Sequence, residues 1–463
     1  MASEDARLIA LRGLLGEALV TAPEELERLR ADQSGHRSAA APLALVEARS
    51  TADVQALLRH AHANGLSVVP RGAGTGLAGG AIGSRDEVVL SLARMDRILE
   101  VSPDDELAVV EPGVLTADLD AALAAHGLGF APDPASRAVS TVGGNIATNA
   151  GGLACVKYGV TRDAVLGLSV VLADGRLLET GRRTVKGVSG YDLTSLMVGS
   201  EGTLGVIVEA TVRALPRPAG QATLAADFDT VARACAAALA LLRDADGARP
   251  AVLELLERRA LEAIHAHLGI GSGHGAAQLL IRYDGAGAEA DGLRALELLS
   301  RLGGRAVVAP DPAAAEELLR IRRSFHPAMA AQGQVLIEDV AVPRSALAAM
   351  FAEIERIEAE HGLRIPTVAH AGDGNLHPNF IVEEPLIGPD GVPIVPDAVW
   401  AAAEELFLSA LRLGGTLTGE HGIGLLKRRW LGRELGEASL GLQRALKAVF
   451  DPRGVLNPGK VFL

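Results

Sequence analysis

Two histidines, His370 and His377, bracket the stretch HAGDGNLH. Imidazole is the commonest side-chain ligand for a metal ion, and the Asp-Gly pair between the two histidines signals a two-residue hairpin loop. If Asp373 and Gly374 form that loop, residues 370 and 377 become direct cross-strand partners, with Cβ atoms roughly 5 Å apart and able to share one ion. A third donor lies in TLTGEHGIG at 416–424, where Glu420 and His421 stand between glycines that let backbone approach a ligand closely. Two histidines and one carboxylate leave coordination positions open, which is the catalytic rather than the structural pattern. A lone pair of histidines near a turn is more often a pair of satisfied surface residues; the spacing, the hairpin logic and the second cluster argue otherwise here. Zn is the first choice of ion, and Mn or Fe accepts the same set.

The elements that must carry these residues belong to a long chain. At 463 residues it exceeds a single core, so two or three domains are expected. It is 49% apolar and 3% aromatic, with a net charge of −13. That charge argues against nucleic acid or an anionic membrane surface as partner. No apolar run approaches the roughly 18 residues of a membrane span. The N-terminus reads as neither signal nor transit peptide, so a cytoplasmic protein, with peripheral membrane docking left open, is expected. Cys155 and Cys235 have no metal-type spacing and read as reduced thiols.

Along the chain, residues 4–31 read as helical. TADVQALLRHAHANG predicts a helix over 51–64 with a Thr51 cap and a closing Asn-Gly. The strand SVVP then runs into RGAGTGLAGGA at 71–81, where Gly74, Gly76 and Gly79 satisfy GxGxxG. A Rossmann turn needs a helix next; a polar turn and a β-rich run at 87–92 follow instead. The glycines therefore read as a loop whose N–H groups cradle a phosphate-bearing cofactor. STVGGNIATNAGG at 140–152 reads as a second such loop, and GSEGTLGVIVEATVRALP at 199–216 as a third that passes into a strand. Between them come ELAVVEPGV, a helix near 115–127 and a 166–181 hairpin with an Asp-Gly turn. Three uncharged glycine loops among strands suit a large planar cofactor with a pyrophosphate. Beyond Pro218 the order β-α-β-β-α-β over 222–310 is the ferredoxin-like signature. It continues into helices at 313–330, 345–362 and 397–415, with a β run at 335–343 before the second of these.

In that order, PRGAGTGLAGGA, TVGGNIATNAGG, GSEGTLGVI, HAGDGNLHPNF, TGEHGIGLLKRRWL and DPRGVLNPGKV resemble the flavin-dependent 2-hydroxyacid dehydrogenases of the vanillyl-alcohol-oxidase fold superfamily. Within that superfamily the chain looks like the branch that holds D-lactate dehydrogenase, the glycolate oxidase flavin subunit and D-2-hydroxyglutarate dehydrogenase. The resemblance implies an α+β fold: an FAD-binding domain of two subdomains over 1–218, a ferredoxin-like antiparallel cap over 219–420 with substrate and metal, and a 421–463 segment returning to the flavin. FAD contacts are then expected at Arg71, Gly72, Ala73, Gly74, Thr75, Gly76, Leu77, Pro132, Thr141, Gly144, Asn145, Thr148, Gly152, Glu201, Gly202, Ile207 and Asn457. The 71–81 loop lacks the cysteine or histidine of covalent relatives, so the FAD is expected to be dissociable.

The implied reaction removes the hydroxyl proton of a 2-hydroxy acid and moves a hydride from Cα to flavin N5. His370, His377 and Glu420 would hold the cation that lowers the hydroxyl pKa. His421 is the choice of general base, with an ordinary pKa near ~6.5 and a neighbouring cation to keep it neutral. Arg322 corresponds to the family's substrate-carboxylate arginine. Asn379, two residues beyond His377, faces the same way. His326, one turn after Arg322, stands where relatives often have threonine. Ile337 occupies the place of the lysine typical of D-2-hydroxyglutarate enzymes, which favours lactate or glycolate. The alternatives are D-2-hydroxyglutarate oxidation, a non-catalytic flavin-binding subunit, or an oxygen-using oxidase. The electron acceptor (quinone, cytochrome or electron-transfer flavoprotein) and the oligomeric state, a homodimer included, stay open.

Overall fold

The computed structural model describes residues 5–271, 275–388 and 391–462; residue 4, where the first helical reading begins, lies outside them. The chain divides into two compact units. One comprises 1–151, 160–217 and 420–463, and the other 152–159 and 218–419.

The first unit holds two sheets. Leu19–Val20, Ala44–Glu47, Glu87–Ser91 and Ser67–Arg71 make one, in that order, with the first strand antiparallel and the rest parallel. The expected single helix at 4–31 is therefore two, Ala6–Leu15 and Pro23–Arg28, interrupted by that strand. The helix Thr51–Asn64 forms as read, but Ser50 caps it, its hydroxyl accepting the Asp53 N–H, and Gly65 closes it at φ 67°. Val54, Leu57, Leu58 and Ala61 place its apolar stripe against Val68, Val88 and Leu90. The parallel neighbours Ser67–Arg71 and Glu87–Ser91 are joined by the glycine segment with no helix between them. Ile98–Ser102, Leu107–Val110, Val206–Arg213, Val165–Val171 and Leu177–Gly181 form the second, antiparallel sheet. Val206–Arg213 is buried on both sides, with Val206 and Val208 in one core and Ile207, Ala210 and Val212 in the other. The 166–181 hairpin forms, although its turn is longer than two residues: Leu172 N–H still donates to Arg176 O, with Gly175 at φ 82°.

The 140–152 stretch is not a loop throughout. Val142–Thr148 is a short helix, because Thr141 Oγ1 accepts the Gly144 N–H as an N-cap and Asn149 ends it in the left-handed region. The kinked helix Leu431–Phe450 leads the chain back: Val68 N–H donates to Val455 O and Asn457 N–H to Val68 O, each at 2.8 Å.

In the second unit Arg305–Val308, Gln221–Phe228, Ala277–Asp284 and Val252–Glu257 form the antiparallel ferredoxin-like sheet. The sheet continues through Thr367–His370, Asn375–Val382 and Gln334–Ile337. The expected strand and helix order omitted Arg258–Leu268, a helix between the second and third strands; its RRALEAIHAHL has helical spacing. The expected helix at 313–330 breaks at Ser324 into Pro312–Arg323 and Phe325–Ala330. Two further helices, Leu347–His361 and Asp397–Arg412, form near the expected places.

Candidate active site

The second unit builds its polar centre on a β ladder. Thr367–His370 pairs with Asn375–Val382, but the register differs from the expectation: His370 faces Asn375 and His377 faces Val368. The turn is four residues, 371–374, with Asp373 and Gly374 N–H groups both returning to His370 O. His370 and His377 are thus diagonal rather than direct partners, still on one face because 375 and 377 alternate with period two. Their rings meet edge to face, centroids 4.9 Å apart at 87°, and both are over nine-tenths buried.

Directly opposite His370 on the neighbouring strand is Glu254, completely buried. Its Oε1 lies 2.7 Å from His370 Nδ1, and its Oε2 accepts Arg322 Nε at 2.7 Å. Burial pushes the Glu254 carboxyl up, but the charges of His370 and Arg322 and their hydrogen bonds hold it below the usual carboxylate range. A carboxylate on the second nitrogen of an imidazole fixes its orientation and basicity as a ligand, so these donors fit a divalent cation. Arg322, read from sequence as a carboxylate binder, is buried, and only its Nε is engaged among the described residues. Asn379 is buried, its Nδ2 donating to His377 O at 3.0 Å, and Oδ1 has no partner among the described residues. His326 is exposed on the short helix beyond Ser324, whereas Arg322 is buried near the end of the helix before it.

The segment before Glu420 is held differently. Asp339, wholly buried, accepts the Thr418 hydroxyl at 2.8 Å and the Gly419 N–H at 2.6 Å. Gly419 packs so tightly on the Asn375 amide that any side chain would strike it. Glu420 is the next residue, joined through one peptide unit, and opens the last segment of the first unit. There its side chain lies against Gly151. Glu254 and Asp339 were both missed in the sequence; each was legible as an acid inside a largely apolar strand run, VLELLE and VLIEDVAVP.

In the first unit some of the expected cofactor residues, Thr141 and Gly144 among them, lie beside the Arg71–Leu77 segment. Arg71 Nη1 donates to Ala81 O at 2.7 Å, and burial pulls its pKa down against the charge of Asp32. Gly74 sits over that guanidinium, and a Cβ on Gly72 would come 2.5 Å from Thr141 Oγ1. Ala73, Thr75, Gly76 and Leu77 are partly or fully exposed along the loop, while Pro132 is buried. Asn145 Nδ2 donates to Thr116 Oγ1 at 2.7 Å and Thr148 Oγ1 to Gly144 O at 3.2 Å, so these side chains serve the helix and its packing. Ile207 lies in the apolar core, and Gly152 opens the 152–159 segment of the second unit. Gly202 follows Glu201 at φ 68°. Burial raises the Glu201 carboxyl, opposed by the N–H groups of Ile423 and Gly424 and the charge of Lys427. Asn457 is buried, its Nδ2 donating to Gly80 O at 3.0 Å and Glu201 O at 2.7 Å, with Oδ1 unpartnered among the described residues. A buried acceptor left open beside glycine backbone fits a cofactor that brings its own N–H or hydroxyl donor.

Comparison with known sequences agrees with this layout. Residues 42–181 match the "FAD binding domain" family, and residues 217–461 match "FAD linked oxidases, C-terminal domain". The chain belongs to the FAD-linked oxidases. Within that family it is 40% identical to the glycolate oxidase subunit GlcD of Bacillus subtilis, covering 91% of this chain and 89% of that one. It is 36% identical to D-lactate dehydrogenase of Archaeoglobus fulgidus, over 91% and 92% of the two chains. A D-2-hydroxyglutarate dehydrogenase of Xanthomonas citri pv. viticola is 35% identical, over 99% and 97%. Among solved structures, p-cresol methylhydroxylase superposes with a TM-score of 0.78 over 98% of this chain and 96% of that one at 19% identity. This FAD-linked oxidase therefore has the α+β fold of the vanillyl-alcohol-oxidase-type flavoenzymes.

Proposed function

We propose that this FAD-linked oxidase is a hydroxyacid dehydrogenase that converts a small D-2-hydroxy acid, lactate or glycolate in kind, to its 2-oxo acid. His370, His377 and Glu420 would hold a divalent cation, Zn first, and the Arg71–Leu77 loop with its neighbours would hold FAD without a covalent bond. When bound, FAD accepts the hydride and the cation polarises the substrate hydroxyl. One observation carries the reading: a single buried carboxylate, Glu254, grips both an imidazole of the histidine pair and the carboxylate-binding candidate Arg322. The names of the relatives point the same way.

The protein's own groups then have distinct tasks. Glu254 presents His370 through its other ring nitrogen and neutralises Arg322 in part, leaving the terminal guanidinium nitrogens to fork a substrate carboxylate. Asn379 offers an open amide oxygen, and His326 shapes the rim of the substrate pocket. His421, adjacent to Glu420, takes the hydroxyl proton. Ile337 supplies no charge for a second carboxylate, which favours monocarboxylates over D-2-hydroxyglutarate. Electrons pass on to a quinone, cytochrome or electron-transfer flavoprotein, the enzyme working in the cytoplasm as a homodimer or alone. Among the described residues no helix is long and apolar enough to cross a membrane.

The test is a steady-state screen of D- and L-lactate, glycolate and D-2-hydroxyglutarate with a dye acceptor, before and after chelation and metal return. Turnover of a D-monocarboxylate that chelation abolishes and metal restores is expected. Preference for D-2-hydroxyglutarate, or turnover indifferent to chelation, would overturn the substrate or the metal assignment respectively.

A further inference from the structure

The segment carrying Glu420 and His421 has neither helix nor strand from 417 to 424, and Gly419, Gly422 and Gly424 are three of its residues. Such backbone is entropically loose unless something fixes it. In the first unit, one side chain does so from 222 and 223 residues away. Glu201 Oε1 accepts the Ile423 N–H at 2.8 Å, and Oε2 accepts the Gly424 N–H at 2.8 Å. The fit leaves no spare room: a Cβ on Gly422 would lie 3.0 Å from Oε1, and one on Gly80 3.3 Å from Oε2. Glu201 itself sits at φ 51°, a left-handed backbone that a non-glycine residue adopts only when its surroundings impose it. Asn457 Nδ2 donates to its carbonyl, so the third glycine segment, the 420–424 turn and the C-terminal tail are fastened at one buried residue. Both carboxylate oxygens are committed to amide donors, and an anion suits a pyrophosphate poorly.

We propose that Glu201 is a positioning residue whose carboxylate holds the Glu420–His421 turn, rather than a ligand of FAD. The proposal rests on the reading of Glu420 and His421 given above. Loss of a charged hydrogen bond at each amide predicts that E201Q, which keeps the shape but offers one acceptor, speeds hydrogen exchange at Ile423 and Gly424 by about 10- to 100-fold. FAD content should stay stoichiometric, kcat should fall about tenfold or more, and KM should move little, since binding groups lie elsewhere. E201D, with charge retained and reach shortened, should show a smaller version of both effects. In the unaltered holoenzyme the same two amides should exchange as slowly as those of Val206–Arg213, a measurement independent of whether any variant folds. Fast exchange there, or FAD loss in E201Q with 423 and 424 still protected, overturns the proposal. H421N with full kcat, alongside raised exchange in E201Q, would instead remove the catalytic reading and leave the anchor standing.

Discussion

The His370 hairpin and the 416–424 turn are fixed in place by opposite means. In the hairpin, backbone ladder bonds fix the register, and the side chains follow from alternation along the strands. In the turn the backbone is fixed by side chains: Asp339 takes the Gly419 N–H in one unit, and Glu201 takes those of Ile423 and Gly424 in the other. A ladder tolerates change at any one side chain, whereas a glycine turn pinned by buried carboxylates depends on each anchor. The difference teaches that position can be encoded in backbone pairing or purchased with buried charge, and that the second route is the more fragile.

The largest expected effect attacks the ladder where it carries chemistry. H377A should leave the fold and FAD content intact yet cut turnover by at least about a thousandfold, several kcal/mol of lost cation assistance, with metal content by elemental analysis falling in parallel; normal turnover would break the comparison at its first term. E254Q comes next and should weaken metal affinity by about 10- to 100-fold in a chelator competition titration. It also has a pH signature. Because the Glu254 carboxyl is held below its ordinary value of 4.5, the stability it supplies is fully present above 4.5 and is lost as pH falls through the lower folded-state value. Acid melting of E254Q should therefore be shallower below pH 4.5 than that of the unsubstituted protein, and parallel curves would remove Glu254 as the responsible group.

Smaller effects sharpen the other term. Gly424 has φ 48° and an added Cβ would strike the Ala78 carbonyl, so G424A should cost about 1–3 kcal/mol in denaturant unfolding. An equal substitution at exposed Gly35, also at positive φ but with open space around it, should cost less. T418V deletes only the hydroxyl donated to Asp339 and should lose about 1 kcal/mol, read as a small drop in melting temperature with turnover reduced less than in G424A.

Much of this was present in the order of residues. Helix Thr51–Asn64, the strand into the Arg71 loop without a following helix, and the antiparallel ferredoxin-like pattern follow from local periodicity and glycine or asparagine stops, which act within a few residues. So does the choice of His370, His377, Glu420 and His421, because chemistry-bearing residue types in or beside glycine-containing turns stand out in any linear reading. Pairing did not follow from it. The hairpin register depended on how the turn's amides closed on His370 O, and a four-residue turn displaced the expected partner by two. Glu254 became the partner of His370 and Arg322 only because the sheet sets it beside a residue 116 positions away while the helix Pro312–Arg323 brings Arg322, 68 positions away, to the same carboxylate. Glu201 likewise looked like one more glycine-loop residue until its carboxylate met amides more than two hundred positions away. Side-chain types and local conformation are properties of the chain read in one dimension; which buried acid satisfies which donor is settled only when burial makes an unpaired charge too costly to leave.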